Sequence, residues 1–146
     1  MNIRPATSHD FEAVHRLLLE AGLPTEGLED QFGPAYAVAV DRDRVIGAAG
    51  VERYGDSGLL RSVVTAPERR GEGIGLALTR DRLGWATKEG IADVYLLTTT
   101  AADWFPRLGF GRVERRDLPA EIQGSREANG VCPSTAVAMR RPSGSG

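Results

Sequence analysis

The chain has 146 residues, 18 basic and 20 acidic side chains, a net charge of −2 and a pI near 5.7. That length suits one domain over residues 1–142 with a continuous core, and the scattered arginines, with Lys88 the sole lysine, form no basic stripe of the kind nucleic acid requires. A single cysteine, Cys132, excludes an internal disulfide framework; with no apolar run of membrane-spanning length and no basic-then-apolar leader, a cytoplasmic protein is expected.

Residues 2–4 predict a first strand. Thr7-x-x-Asp10 is a capping arrangement for a helix whose Phe11, Val14, Leu18 and Ala21 share one face, with Gly22 as its stop. A short second helix is expected over residues 26–32. Strands over 35–40 and 45–52 flank the polar turn Asp41-Arg42-Asp43-Arg44, a hairpin signal, and Asp56-Ser57-Gly58 leads into a further strand that Pro67 ends. A helix should open at the glycines after Arg70 and stop at Gly90, followed by a strand over 93–98. Residues 101–108 read as a short helix closed by Gly109, with Pro106 compatible only with its first turn. The last third predicts a strand over 111–116, a helical turn over 119–123 and a closing strand over 135–140. Ser143-Gly144-Ser145-Gly146 has the composition of a flexible tail.

The stretch Arg69-Arg70-Gly71-Glu72-Gly73-Ile74-Gly75-Leu76 is where chemistry is most legible. Glycines let backbone approach an anion closely, and the unpaired N–H groups of a helix's first turn point at it, so strand, arm, glycine loop and helix together read as a diphosphate cradle. A Walker-type loop would need a lysine after its last glycine, and Lys88 lies far downstream. A dinucleotide fingerprint would need a third glycine where Leu78 stands.

Arg70-Gly71-Glu72-Gly73-Ile74-Gly75 matches the acetyl-coenzyme A signature Arg/Gln-x-x-Gly-x-Gly/Ala, and in this the chain resembles the GCN5-related N-acetyltransferases (GNAT). Ile3-Arg4-Pro5-Ala6-Thr7 near the start, Val63-Val64 before Pro67, and Trp104-Phe105-Pro106-Arg107-Leu108-Gly109-Phe110 resemble that family in the same order. Leu97-Thr98-Thr99-Thr100 with Trp104-Phe105, Leu118-Pro119 and Cys132-Pro133-Ser134 look most like N-acetyltransferases of arsenic-resistance operons; the first block is also similar to the acetyltransferase domain of N-acetylglutamate synthase.

The resemblance implies an α/β (α+β) fold, a mixed, mostly antiparallel sheet of six to seven strands splayed at the cofactor site, with acetyl-CoA as cosubstrate. It implies that Val63 and Val64 pair with the pantetheine arm, and that a backbone amide near Val64 donates to the thioester oxygen. The diphosphate would rest on Gly71, Gly73, Ile74, Gly75 and Leu76, with Arg69 and Arg70 adding charge. Trp104 and Phe105 would wall the pantetheine arm or belong to the core. Relatives often have a tyrosine at the second of these positions, and its hydroxyl is absent here.

The attacking amine must lose a proton, so a carboxylate near the acetyl carbon is the usual helper. Glu52 is the first candidate. Asp56 and Asp103 are alternatives that capping explains equally well, and Tyr54 or Tyr95 could stand in as acid. Arg61, beside Ser62 in an otherwise apolar strand, would either grip the carboxylate of an amino-acid-like substrate or pair with a neighbouring carboxylate on an exposed face. Cys132 reads as a buried structural thiol, and His9 and His15 have no company suited to a metal. The leading function is acetyl transfer to a primary amine of a small molecule by direct attack, with no nucleic acid or membrane partner. The competing readings are a catalytically silent acetyl-CoA sensor and a protein acetyltransferase. Homodimers are common among the relatives, so a homodimer is open on the same ground, while the sequence itself does not give the oligomeric state.

Overall fold

The computed structural model describes residues 1–125 and 136–142. Seven strands, β1 (Asn2–Pro5), β2 (Tyr36–Asp41), β3 (Arg44–Tyr54), β4 (Ser57–Thr65), β5 (Asp93–Thr98), β6 (Gly111–Val113) and β7 (Val137–Pro142), form one sheet in the order β1-β2-β3-β4-β5-β7-β6. Every pairing is antiparallel except β4 with β5. The helices are α1 (Phe11–Glu20), α2 (Ile74–Lys88) and the single turn α3 (Ala120–Gln123). No described helix is long and apolar enough to cross a membrane.

Local chemistry explains most boundaries. Asp10 accepts the Thr7 N–H at 2.8 Å and an Arg4 guanidinium N–H at 2.8 Å, so the predicted cap is real, but it closes a 3-10 turn over Ser8–Asp10 from which α1 continues. Arg4 also holds the Asp10 carboxyl below the usual carboxylate range, chiefly through that hydrogen bond. Gly22, at φ +69°, ends α1, and the Leu23 N–H returns to the Leu18 carbonyl at 2.9 Å. The β2–β3 turn puts both Arg42 and Asp43 at positive φ, as a tight hairpin of matching twist requires.

Three expected elements are shorter than their patterns. The helix expected over 26–32 is only a 3-10 turn, Leu28–Asp30, hemmed between the left-handed Gly27 and Gly33. That over 101–108 is a 3-10 segment, Phe105–Leu108, with Pro106 in its first turn as its missing N–H demands. The strand expected over 111–116 ends at Val113, because the chain turns into a 3-10 segment at Arg115–Asp117. The closing strand runs Val137–Pro142; Thr135, Cys132-Pro133-Ser134 and the glycine-serine tail lie outside the described residues.

The sheet is covered on both faces. A Cβ on Gly47 would meet Leu78 of α2 at 3.0 Å, so glycine there lets α2 settle closely on β3. Towards α1, Tyr36 packs on Phe32 (centroids 5.1 Å apart), and Phe32 meets Phe11 edge-on at 5.2 Å.

Candidate active site

Strands β4 and β5 pair only through Ser57, Gly58 and Leu59 against Asp93, Val94 and Tyr95. Beyond that point they part. The remainder of β4, from Leu60 to Thr65, and the end of β5, from Leu96 to Thr98, line a cavity of about 670 Å³. Phe105 and Ala101 close one side, the loop of residues 21–24 another, and Arg70 stands at the rim.

A bulge helps to drive β4 away. Ala48 pairs with Val64 but Gly50 pairs with Arg61, so Ala49 alone faces both Ser62 and Val63. Ser62 takes up the extra residue at φ +61°, a left-handed conformation that costs a non-glycine residue about 1 kcal/mol. Bulges and such strain gather where a strand must aim backbone or side chains at a ligand. Val63 and Val64, just past the bulge, both line the cavity.

At the rim, Gly71 and Gly73 adopt φ +86° and +80°, and nothing lies within 4 Å of where either would carry a Cβ. Gly75 differs: its φ is ordinary, and a Cβ there would touch Thr65 Oγ1 at 3.7 Å. The first intrahelical bond of α2 runs from the Ala77 N–H to the Gly73 carbonyl at 3.1 Å. The N–H groups from Gly73 to Leu76 are therefore those a helix start leaves for an anion. Ile74 is buried against β3 and Leu76 partly so, which fixes the direction of the helix axis. An open glycine concavity beside first-turn amides and a cationic rim is a fit for the diphosphate of coenzyme A.

The two arginines of the motif separate in role. Arg70 lines the cavity. Arg69, expected on the diphosphate, donates instead to Asp41 at 2.8 Å and to Glu72 at 3.0 Å, so it ties the loop to the β2–β3 hairpin. Those carboxylates raise the Arg69 pKa, Glu72 first, and the guanidinium in turn lowers that of Asp41.

Glu52 is neither at a strand end nor at the cavity. It lies within β3, 2 % exposed, and accepts hydrogen bonds from Tyr36 Oη at 2.7 Å and Tyr54 Oη at 3.1 Å. Arg61 Nη1 stands 3.7 Å from Glu52 Oε2, and Arg61 Nη2 donates to the Pro24 carbonyl at 3.3 Å. The Arg61 side chain is 1 % exposed although the residue belongs to the cavity wall. The expected exposed salt bridge is thus a buried one, and a guanidinium so enclosed supports the wall rather than meeting solvent. Burial, then the Glu52 charge, pushes the Tyr36 phenol well above its ordinary pKa, so it stays a hydrogen-bond donor. Ser62 opposes that shift slightly, though its buried Oγ makes no hydrogen bond of ordinary geometry among the described residues.

This cluster follows from register. Tyr36 pairs with Gly50 and Gly50 with Arg61, one row across three strands. A Cβ on Gly50 would fall inside the Tyr36 ring, so only glycine lets the phenol lie flat across β3 towards Glu52.

Phe105 is buried on the cavity wall, and Trp104 packs edge-on against it with centroids 4.9 Å apart. Trp104 is absent from the wall and joins the apolar cluster of Leu83, Phe105 and Phe110, the core alternative. Asp56 and Asp103 are exposed and absent from the cavity wall, and Tyr95 sits in a separate cluster with Leu59, Leu118 and Ile122. Among the described residues no group of three or more histidine, cysteine or acidic side chains is placed to hold a metal. Sequence reading missed the bulge at Ser62 and the loop of residues 21–24 as a wall. Neither carries a local signal, since a left-handed serine and a loop packed against a distant strand depend on tertiary context.

A mixed sheet opened between two strands, with a glycine-capped helix at the mouth, is the architecture that the resemblance to the GNAT family implies. Residues 33–112 match the family model of the acetyltransferase (GNAT) domain, more than half of the chain, and the chain belongs to that family. No curated protein sequence matches it. Among solved structures it is similar to N-acetylglutamate synthase from Neisseria gonorrhoeae complexed with coenzyme A and N-acetyl-glutamate, with a TM-score of 0.82 at 22% identity over 97% of this chain and 35% of that one. The chain thus spans about a third of that synthase. It is also similar to Rv2747 from Mycobacterium tuberculosis in complex with CoA and NLQ, with a TM-score of 0.78 at 21% identity over 97% of this chain and 99% of the other. The ribosomal-protein-S18-alanine N-acetyltransferase from Escherichia coli gives 0.75 at 17% identity over 97% and 93%.

Proposed function

We propose that residues 1–142 form a single acetyl-CoA-dependent N-acetyltransferase domain acting on a primary amine of a small, amino-acid-like molecule. The observation that carries this reading is the parting of β4 from β5 directly beside the glycine-capped start of α2. Amides of residues 73–76 and the Arg70 guanidinium hold the diphosphate, and the free edge of β4 at Val63 and Val64 pairs with the pantetheine arm. A thioester supplies the electrophilic carbonyl. The Val64 backbone amide donates to its oxygen as negative charge develops during direct attack by the amine.

The cavity volume lies within the range of small-molecule sites, and the pantetheine arm along Val63 and Val64 takes part of it. Amino-acid acceptors, phosphinic and arsenical analogues included, are supported by the resemblance to enzymes of arsenic-resistance operons, and two of the three neighbours named above are complexed with N-acetyl-glutamate or NLQ.

The described cavity wall includes no carboxylate, imidazole or phenol. The amine proton therefore passes to water, and the rate should rise with pH along the acceptor's own ionisation rather than with a carboxylate's. The same observation favours, as second reading, a silent acetyl-CoA sensor. A free-thiol assay with acetyl-CoA and a panel of amino acids separates the two: acceptor-dependent thiol release is expected, whereas tight coenzyme binding with no release for any amine leaves only the sensor.

A further inference from the structure

Arg61 is a buried charge on the cavity wall that direct attack does not use, and its contacts run in two directions. Inward, Glu52 faces Nη1, itself held by the Tyr36 and Tyr54 hydroxyls. Outward, Nη2 reaches the carbonyl of Pro24, in the loop of residues 21–24 that lines the same cavity. A guanidinium is a rigid planar fork that serves the two contacts from separate nitrogens, whereas an ammonium must reach both from one. Besides this polar tie, Ala21 and Leu23 pack on the core, and the amides at Gly22 and Leu23 bond back to the Leu19 and Leu18 carbonyls of α1.

We infer that Arg61 is a positioning residue, a strut between Glu52 and the Pro24 carbonyl, which sets the acceptor-side wall and so governs acceptor binding without touching the coenzyme. This rests on the acetyltransferase reading above. Tyr36 acts one step further back, by fixing the carboxylate on which the strut stands.

The test uses the full chain saturated with coenzyme A, as wild type, Arg61→Lys and Tyr36→Phe. Amide hydrogen exchange is read at Gly22 and Leu23 and, as the cradle control, at Ala77. The proteinogenic amino acids serve as acceptor probes. Arg61→Lys is expected to speed exchange at Gly22 and Leu23 about tenfold, with Ala77 unchanged within about twofold. It should raise acceptor KM about tenfold, leaving kcat within about threefold and the KM for acetyl-CoA within about twofold. Tyr36→Phe, whose ring is kept, should show the same pattern at about a third of the size. A folded Arg61→Lys variant with unchanged loop exchange and acceptor KM overturns the inference, as does a rise in exchange equal at the loop and at Ala77. A collapse of kcat at unchanged acceptor KM also overturns it, since it would put Arg61 in the chemistry. Should Arg61→Lys fail to fold, unaltered exchange in Tyr36→Phe overturns the inference and faster loop exchange supports it. If no amino acid is acetylated, the proposed acceptor class fails while the exchange measurements still decide the strut.

Discussion

The two sides of the cavity hold their shape by opposite means. At the glycine loop the work falls to backbone: left-handed Gly71 and Gly73, a run of first-turn amides, and one rim arginine, all within a few consecutive residues. On the other side it falls to the side chains of Tyr36, Glu52 and Arg61, which meet the carbonyl of Pro24 from distant places in the chain. A backbone cradle suits a ligand that never changes, because substitution scarcely alters an N–H. A wall held by a side-chain relay suits a ligand that differs between relatives, because few substitutions move it.

The largest expected effect breaks the side-chain side. Arg61→Ala leaves Glu52 buried without its cation and should destabilise the fold by about 3–5 kcal/mol, read by urea unfolding. Next comes the backbone side: in a Gly71→Val, Gly73→Val variant the loop relaxes from its left-handed turns, and coenzyme binding must restore them. That costs about 2–4 kcal/mol, so calorimetry should show affinity for coenzyme A roughly 30- to 1000-fold weaker. A smaller change sharpens the contrast within the motif. Gly75→Ala has room and ordinary φ, so it should stabilise α2 by up to about 1 kcal/mol, and any weaker coenzyme binding then reports close approach of the diphosphate at that residue alone.

The smallest effect is a control remote from both sides. Asp10 is nearly buried and its folded pKa lies below the unfolded value, so its contribution is present above about pH 4 and fades as pH falls through the folded pKa. Asp10→Asn should therefore melt lower at neutral pH by a cap's worth, about 1 kcal/mol, with the gap closing in acid and coenzyme affinity unchanged.

The same division decides what was legible beforehand. The order of strands and the helix after the glycine loop follow from alternation, prolines and glycines, signals that act over a few residues; β5 has the extent its pattern predicts. Arg61 was visible as an odd polar residue in an apolar strand and Glu52 as the end of its expected strand, but their meeting depends on the Gly50 row and on a bulge that no local pattern marks. Arg69 and Arg70 look interchangeable in sequence. Only the position of Asp41, twenty-eight residues earlier, separates the anchor from the rim.

Gly50 carries a consequence for how this domain can vary over time. Since its missing side chain is the space in which the Tyr36 ring lies, a larger residue at one position demands a smaller one at the other. The two sites should therefore change together or not at all, a covariation that an alignment of homologous chains would display as large-small and small-large pairs across the middle strands.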